Sequence, residues 1–152
     1  MLLSGGIFCN LLFVNQKQVI MYQYKAIIRK VVDGDTLEID IDLGLSSWIH
    51  GERIRLYGID TPEVYGVKKG SEEWERGNLS STFVKENLKE KDEIVIETFK
   101  DQREKYGRYL ANVYVSLNPS VVEGLKDIRT INGLYCLNDV MIAKGLAKKY
   151  IL

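Results

Sequence analysis

The chain has 152 residues, 45% of them apolar, with 21 basic and 21 acidic side chains and a formal net charge of zero. This length and apolar content favour one globular domain with a substantial core and argue against a disordered chain. The balanced charge argues against a protein that coats nucleic acid nonspecifically, so any nucleic-acid site would depend on locally clustered cations.

The supply of histidine and cysteine is very small. His50 is the single histidine, and Cys9 and Cys136 are the only cysteines. A disulfide framework and a thiolate zinc site are therefore disfavoured, as are two-histidine ribonuclease chemistry and most Ser/His/Asp hydrolases. Any catalysis must use carboxylates and arginines, with tyrosine or lysine in support.

The first 20 residues carry an apolar patch that Ser4, Gly5, Gly6 and Asn10 interrupt. The patch is too short for a membrane span, and residues 1–6 have no basic side chain of the kind that begins a signal peptide. We expect residues 1–20 to be an ill-ordered or leader segment before a domain of residues 21–152, with no membrane partner. A cytoplasmic location is favoured, and secretion or anchoring is the alternative if the segment acts as a signal.

Three strands are predicted next. Residues 25–32 are rich in β-formers, and residues 36–43 alternate apolar and polar side chains, which is typical of a half-buried strand. Asp33-Gly34 between them is a turn signal. A loop is predicted over residues 44–51 because it holds two glycines and two serines, and a third strand over residues 52–59.

A helix is predicted over residues 71–90, with Ser71 as its N-cap and acidic residues in its first turn. Four apolar side chains are spaced to form one buried stripe. They are Leu79, Phe83, Val84 and Leu88.

The second half continues with strands at residues 93–99 and 108–115 and a long connection over residues 116–130. A short strand at residues 131–136 and a second helix, capped by Asn138, complete the pattern. Strands without regular helical crossovers favour a mainly β protein with α-helices, built as a small, partly open barrel rather than a doubly wound sheet.

Three aspartates are candidates for a metal site. Asp33 and Asp35 flank one glycine, and Asp60 follows a strand. Carboxylates that share a site repel one another unless a hard cation such as Ca²⁺, which prefers oxygen ligands, lies among them. The alternative is an ordinary hairpin turn and an unrelated strand-end aspartate.

Glu63 and two arginines add further chemistry. Pro62 fixes the chain direction before Glu63, a carboxylate that could deprotonate a water beside a metal. The guanidinium groups of Arg55 and Arg108 could each hold two phosphate oxygens. A solvated glutamate and surface ion pairs are the alternatives, and Arg53 is assigned no role.

Lys105 and Tyr106 lie beside Arg108 in the sequence. A point charge and a ring for base stacking are typical of single-stranded nucleic-acid sites. Tyrosine is abundant in this chain, so this signal is weak when taken alone.

Three blocks together resemble the staphylococcal nuclease (thermonuclease) family, over about residues 24–148. They are residues 32–36, residues 55–63 and residues 105–108, in the family's order and at compatible spacing. The resemblance implies a five-stranded OB-fold barrel with two helices, and Ca²⁺-dependent hydrolysis of DNA and RNA in which water attacks phosphorus and the 5′-oxygen leaves. The implied partners are single-stranded DNA and RNA, with duplex DNA as a further candidate.

The resemblance also assigns roles by position. It implies that Arg55, Glu63 and Arg108 are catalytic. It implies that Asp35, Asp60 and the carbonyl of Thr61 bind the metal, with Asp33 in an outer shell. It also implies that Lys105, Tyr106 and Leu110 line the nucleotide pocket.

The chain departs from the family pattern in three respects. We expect the family's third, C-terminal helix to be missing. Tyr150 is one place out of register with the expected tyrosines, and the loops at residues 44–51 and 116–130 look longer than usual. The alternative function is a non-catalytic OB-fold module that binds nucleic acid or protein. Relatives with such roles usually lack some of the acidic and arginine positions, and here none is missing.

Overall fold

A computed structural model describes residues 21–150, apart from the side chains of residues 100–102. The predicted leader, residues 1–20, lies outside the described residues. Within them, nine strands and three helices follow one another. The strands are β1 (Met21–Val31), β2 (Thr36–Gly44), β3 (Ser47–Leu56), β4 (Ile59–Asp60), β5 (Glu93–Arg103), β6 (Tyr109–Val115), β7 (Thr130–Ile131), β8 (Leu134–Cys136) and β9 (Lys148–Lys149). The helices are α1 (Glu72–Asn87), α2 (Pro119–Val122) and α3 (Leu137–Ala143).

Five strands form a closed ring. Their order is β3-β2-β1-β5-β6, and a parallel pairing of β3 with β6 joins the two ends, whereas the other neighbours are antiparallel. The small hairpin of β7 and β8 extends this sheet beyond β6, and β4 pairs separately with β9. The predicted α+β class and OB-fold are confirmed.

The core fills the inside of the ring. Alternate residues of neighbouring strands point inward, so that Leu37, Ile39, Ile54 and Leu56 are fully buried. The alternation predicted for β2 is therefore correct until Leu43, which lies near the hairpin tip and is about half exposed.

The predicted loop over residues 44–51 is wrong. A two-residue turn at Leu45-Ser46 joins β2 to β3, which starts at Ser47. Both turn residues have positive φ, 52° and 62°, which matches the twist of a tight hairpin. This turn usually carries Asn-Gly, so Leu-Ser gave no recognisable signal. The third strand also ends earlier than predicted, at Leu56.

Helix α1 lies where the sequence predicted it, and the Ser71 side chain accepts a hydrogen bond from the Trp74 amide at 3.3 Å. The predicted buried stripe is only partly correct, because Val84 and Leu88 are buried whereas Leu79 is 61% exposed. The buried face also contains small residues, namely Gly77, Ser80 and Ser81. Small side chains allow α1 to pack closely on its neighbours.

Two further predictions need correction. The connection over residues 116–130 contains α2, capped by the Asn118 side chain, so the described residues have three helices and not two. The predicted strand over residues 131–136 is a hairpin, in which Asn132-Gly133 with positive φ joins β7 to β8. Among residues 21–150, no helix is long and apolar enough to span a bilayer.

Asn138 is not a helix cap. It lies inside α3, is 2% exposed, and uses its side chain to join separate parts of the ring. Its Oδ1 accepts from the Val113 amide at 3.0 Å, and its Nδ2 donates to the carbonyls of Tyr57 and Ala111 at 2.9 and 3.1 Å. These bonds hold the turn that follows β3 and leads to Asp60.

Candidate active site

A cavity of about 1030 Å³ opens beside the ring. Its wall combines the β1–β2 turn, the end of β3, the segment after β4 and the β5–β6 connection. All ten predicted site residues line it: Asp33, Asp35, Arg55, Asp60, Thr61, Glu63, Lys105, Tyr106, Arg108 and Leu110. The chain thus brings together residues that lie up to 77 positions apart in the sequence.

Arg55 joins two of the predicted metal ligands. Its Nη2 lies 2.8 Å from Asp60 Oδ1 and 3.4 Å from Asp35 Oδ2. The β2–β3 register explains the second contact, because Thr36 pairs with Arg55 and so places Asp35 at the end of that strand pair. Two carboxylates therefore converge on one cationic nitrogen.

Asp35 is a nearly buried carboxylate, with its side chain 12% exposed. Thr36 Oγ1 donates to its Oδ1 at 3.1 Å, and the Thr61 amide donates to its Oδ2 at 3.4 Å. The second bond places the Thr61 main chain directly beside Asp35. Hydrogen bonds and Arg55 thus compensate the carboxylate for its loss of water.

Asp33 supports Asp35 from the turn. Its Oδ1 accepts from the Asp35 amide at 3.2 Å. Burial, followed by the neighbouring charge of Asp35, raises the pKa of Asp33 above its ordinary value of 3.8. Among residues 21–99 and 103–150, no cluster of three or more His, Cys, Asp or Glu side chains is close enough to hold a metal ion. The predicted convergence of three aspartates is therefore reduced to Asp35 and Asp60 around Arg55.

Arg108 is held by Glu104, a residue to which the sequence alone assigned no role. Nε and Nη2 of Arg108 donate to the two Glu104 oxygens at 3.0 and 3.1 Å, and Nη1 donates to Thr36 Oγ1 at 2.9 Å. The Glu104 carboxylate also accepts from the amides of Tyr106 and Arg108 at 2.9 and 3.1 Å. One carboxylate thus fixes both the turn and the guanidinium.

The predicted nucleotide pocket combines exposed and buried residues. The Tyr106 ring is 72% exposed, and Lys105 Nζ and Arg108 Cζ lie 4.9 and 5.5 Å from its centre. Leu110 is buried and also lines the cavity. This arrangement offers a ring flanked by cations at the cavity rim.

Glu63 is exposed on the segment that follows β4, and Gly77 of α1 packs against that segment. A Cβ atom at Gly77 would lie 2.6 Å from the Pro62 carbonyl oxygen and 2.9 Å from that of Glu63. Only glycine permits this approach. A glycine within an otherwise helical pattern is the sequence feature that could have indicated this close packing.

Tyr150 is one place out of register with the tyrosines expected from the family resemblance, yet it lines the cavity. β9 pairs with β4, the Tyr150 amide donates to the Gly58 carbonyl at 2.9 Å, and the ring centre lies 5.9 Å from Arg55 Cζ. Arg53, to which no role was assigned, also lines the cavity. Because Tyr150 and Arg55 lie far apart in the sequence, the sequence alone did not predict that they are close in space.

Comparison with known proteins adds an independent observation. Residues 53–152 match the sequence profile of the family described as staphylococcal nuclease homologue. The matched region begins at Arg53, so Asp33 and Asp35 lie before it, although they line the same cavity.

Three relatives are similar to the chain. A thermonuclease of Staphylococcus intermedius is 36% identical over 89 residues, covering 59% of this chain and 48% of the relative. An uncharacterized protein of Methanocaldococcus jannaschii is 31% identical over 145 residues, covering 84% of this chain and 60% of the relative. An endonuclease of Bacillus subtilis is 28% identical over 102 residues, covering 65% of this chain and 8% of the relative. The chain thus spans 60% or less of the length of each of these relatives.

Proposed function

The chain belongs to the staphylococcal nuclease homologue family, and on that premise we propose that it is a Ca²⁺-dependent nuclease that hydrolyses DNA and RNA. The observation that carries the proposal is the single cavity on which two arginines, two convergent carboxylates and Glu63 meet. Together they supply cations for a phosphate, oxygen ligands for a hard metal ion and an acceptor for a proton.

Arg55 and Arg108 are proposed to bind the scissile phosphate. Each guanidinium is oriented by carboxylates, Arg55 by Asp35 and Asp60 and Arg108 by Glu104. Donors that are already oriented stabilise negative charge as it develops on the phosphoryl oxygens, and one such donor is worth about 3–4 kcal/mol.

Asp35, Asp60 and the Thr61 carbonyl are proposed to hold Ca²⁺. The donor set fits this ion because it consists of oxygens alone, and because Asp35 and Asp60 already converge on one positive charge. When bound, Ca²⁺ supplies Lewis acidity and neutralises charge on the phosphate. Asp33 is proposed to orient Asp35 through its bond to the Asp35 amide.

Glu63 is proposed to accept a proton from the attacking water. The water oxygen forms a bond to phosphorus, the bond from phosphorus to the 5′-oxygen breaks, and the leaving oxygen takes a proton from solvent. Pro62 and the close approach of Gly77 restrict the segment that carries Glu63. A base in a fixed position contributes about 10²–10⁴-fold in rate.

Single-stranded DNA and RNA are the proposed substrates, with duplex DNA as a further one. Lys105, the exposed ring of Tyr106 and the buried Leu110 all line the cavity and offer a charge, a stacking ring and an apolar contact. Such contacts accept any base, and a site that grips phosphate discriminates little between the two nucleic acids.

The test is cleavage of single-stranded DNA and of RNA by Glu63→Gln and by the unmodified protein, with Ca²⁺ and with a chelator. We expect the variant to lose about 10²–10⁴-fold in rate and the chelator to stop cleavage. Glu86→Gln, on the exposed side of α1 and outside the cavity, is the matched control. Full cleavage by Glu63→Gln, or in chelator, would contradict the mechanism. Binding without cleavage by the unmodified protein would favour the non-catalytic module instead.

A further inference from the structure

Two more arginines line the cavity beside the proposed catalytic groups. Arg53 lies two residues before Arg55 on β3, so both side chains leave the same face of that strand. Arg103 is the last residue of β5 and pairs with Tyr109 on β6. Its guanidinium carbon lies 3.9 Å from the centre of the Tyr109 ring. The two arginines thus come from different strands and reach one cavity.

Among the residues whose side chains the structure describes, no carboxylate lies as close to Arg53 or Arg103 as those that contact Arg55 and Arg108. Arg53 Nε is 3.9 Å from Glu38 Oε2, which is beyond hydrogen-bond distance, and the Arg53 side chain is 63% exposed. Arg103 donates to a main-chain carbonyl, that of Gly107, at 3.1 Å. By contrast, carboxylates lie 2.8–3.1 Å from the guanidinium nitrogens of Arg55 and Arg108. Arg53 and Arg103 therefore keep more donor capacity for an external anion.

We propose that Arg53 and Arg103 form a second phosphate subsite, which binds the phosphodiester next to the scissile one in a single strand of nucleic acid. The inference rests on the proposed function, since it names the substrate of that same site as a chain of phosphates rather than an isolated one. A guanidinium holds two phosphate oxygens at once, and Tyr109 limits the movement of the Arg103 guanidinium by stacking.

The size and rim of the cavity favour a single strand. Its volume of about 1030 Å³ is at the upper end of the range for small-ligand sites, so it has room beyond one phosphate group. Tyr65 and Tyr106 line it and are 78% and 72% exposed. Exposed rings can stack on bases that are splayed out, which those of an intact duplex are not.

The test measures binding in chelator, so that the oligonucleotide stays intact. The probe is a fluorescent oligothymidylate of about 12 nucleotides, titrated with protein at several salt concentrations between about 50 and 200 mM. For Arg53→Gln/Arg103→Gln we expect Kd to rise about tenfold at low salt. The slope of log K against log salt should become shallower by about 0.7, the value for one phosphate of a single strand.

Two controls separate charge from geometry. Arg29→Gln removes a half-exposed arginine that is paired with Asp40 at 3.5 Å and lies outside the cavity, so slope and Kd should stay unchanged. Arg53→Lys/Arg103→Lys keeps both charges and should restore the slope. Thymidine 3′-phosphate, which carries one phosphate, should bind the double Gln variant and the unmodified protein equally. If the double Gln variant unfolds, the single variants Arg53→Gln and Arg103→Gln replace it, and each should make the slope shallower.

Three results would contradict the proposed subsite. The first is an unchanged slope in the double Gln variant, and the second is a loss of affinity for thymidine 3′-phosphate equal to that for the oligonucleotide. The third is that the unmodified protein does not bind the oligonucleotide. Cleavage of the same oligonucleotide after Ca²⁺ addition tests the nuclease proposal separately. A shallower slope without any cleavage would retain the subsite and reject the nuclease.

Discussion

Both carboxylate oxygens of Glu104 accept hydrogen bonds from the Arg108 guanidinium, at 3.0 and 3.1 Å. The two residues lie four positions apart in the connection between β5 and β6. Glu104 Oε1 also accepts from two main-chain amides of the same turn. The arginine proposed to bind phosphate is thus supported by a partner of opposite charge. Glu104→Gln keeps the shape of the side chain but removes its charge. The substitution therefore tests whether the carboxylate orients Arg108 or only packs against the turn.

We expect Glu104→Gln to lower the rate of cleavage of single-stranded DNA about 10- to 100-fold. The amide accepts through one oxygen only, so Arg108 loses its two-point orientation, and small displacements of a positioning group cost rates of this order. Steady-state kinetics should show the loss mainly in kcat. Glu123→Gln, at an exposed position outside the cavity, is the control. An unchanged kcat would mean that Glu104 only shapes the turn.

Stability should respond to pH through the same pair. The hydrogen bond from Arg108 lowers the pKa of Glu104 below its ordinary 4.5. A lowered pKa means that the folded state favours the ionised form, so the stabilisation is present above about pH 4.5 and is lost as pH falls through the folded value. At pH 7 we expect the free energy of unfolding of the unmodified protein to be about 1–2 kcal/mol higher than that of Glu104→Gln. Urea titrations at pH 7, 5, 4 and 3 should show this difference shrinking. A constant difference would contradict the charged pair.

Gly77 should matter more for activity than for the helix that contains it. Alanine favours a helix interior by about 1 kcal/mol over glycine, but here its Cβ would meet the Pro62 and Glu63 carbonyl oxygens at 2.6 and 2.9 Å. We expect Gly77→Ala to displace the Glu63 segment and to reduce cleavage at least tenfold. Thr82→Ala, at an exposed position of α1, improves helix propensity without this contact and should leave the rate unchanged. Equal rates for both variants would remove the positioning role of Gly77.

Most residues that line the candidate site lie in short sequence blocks, so the sequence could single them out, although their proposed roles came from the family resemblance. Asp33-Gly34-Asp35 and Asp60 to Glu63 each carry their own local signal, and the alternation in β2 predicted which of its side chains face the core. Glu104, Tyr150 and Asn138 act through partners that only folding brings into place, such as Tyr57 for Asn138, 81 residues away. The hairpin at Leu45-Ser46 was not predicted because both turn residues have positive φ, a conformation for which Asn-Gly is the usual sequence and Leu-Ser is not.

Ca²⁺ and a small ligand should stabilise the fold together if Asp35 and Asp60 hold the ion. We expect millimolar Ca²⁺ with thymidine 3′,5′-bisphosphate to raise Tm, because both bind the folded state and not the unfolded chain. The rise should be lost in Asp35→Asn and in Asp60→Asn. Asp42→Asn, at the hairpin away from the cavity, should retain it. Differential scanning calorimetry measures the shift, and an equal rise in all four proteins would place the ion elsewhere.

Asn138 should be among the most sensitive positions for stability. Replacing it with alanine leaves the Val113 amide and the Tyr57 and Ala111 carbonyls without their side-chain partner in a region where Asn138 itself is 2% exposed. Each buried polar group left unsatisfied costs about 1–3 kcal/mol, so we expect a loss of roughly 3 kcal/mol in unfolding free energy by urea titration. Asn78→Ala removes one bond within α1, to the Trp74 carbonyl, and should cost below about 1 kcal/mol, since alanine also favours the helix. Similar losses at the two positions would show that the Asn138 bonds contribute no more than a single helical side-chain bond.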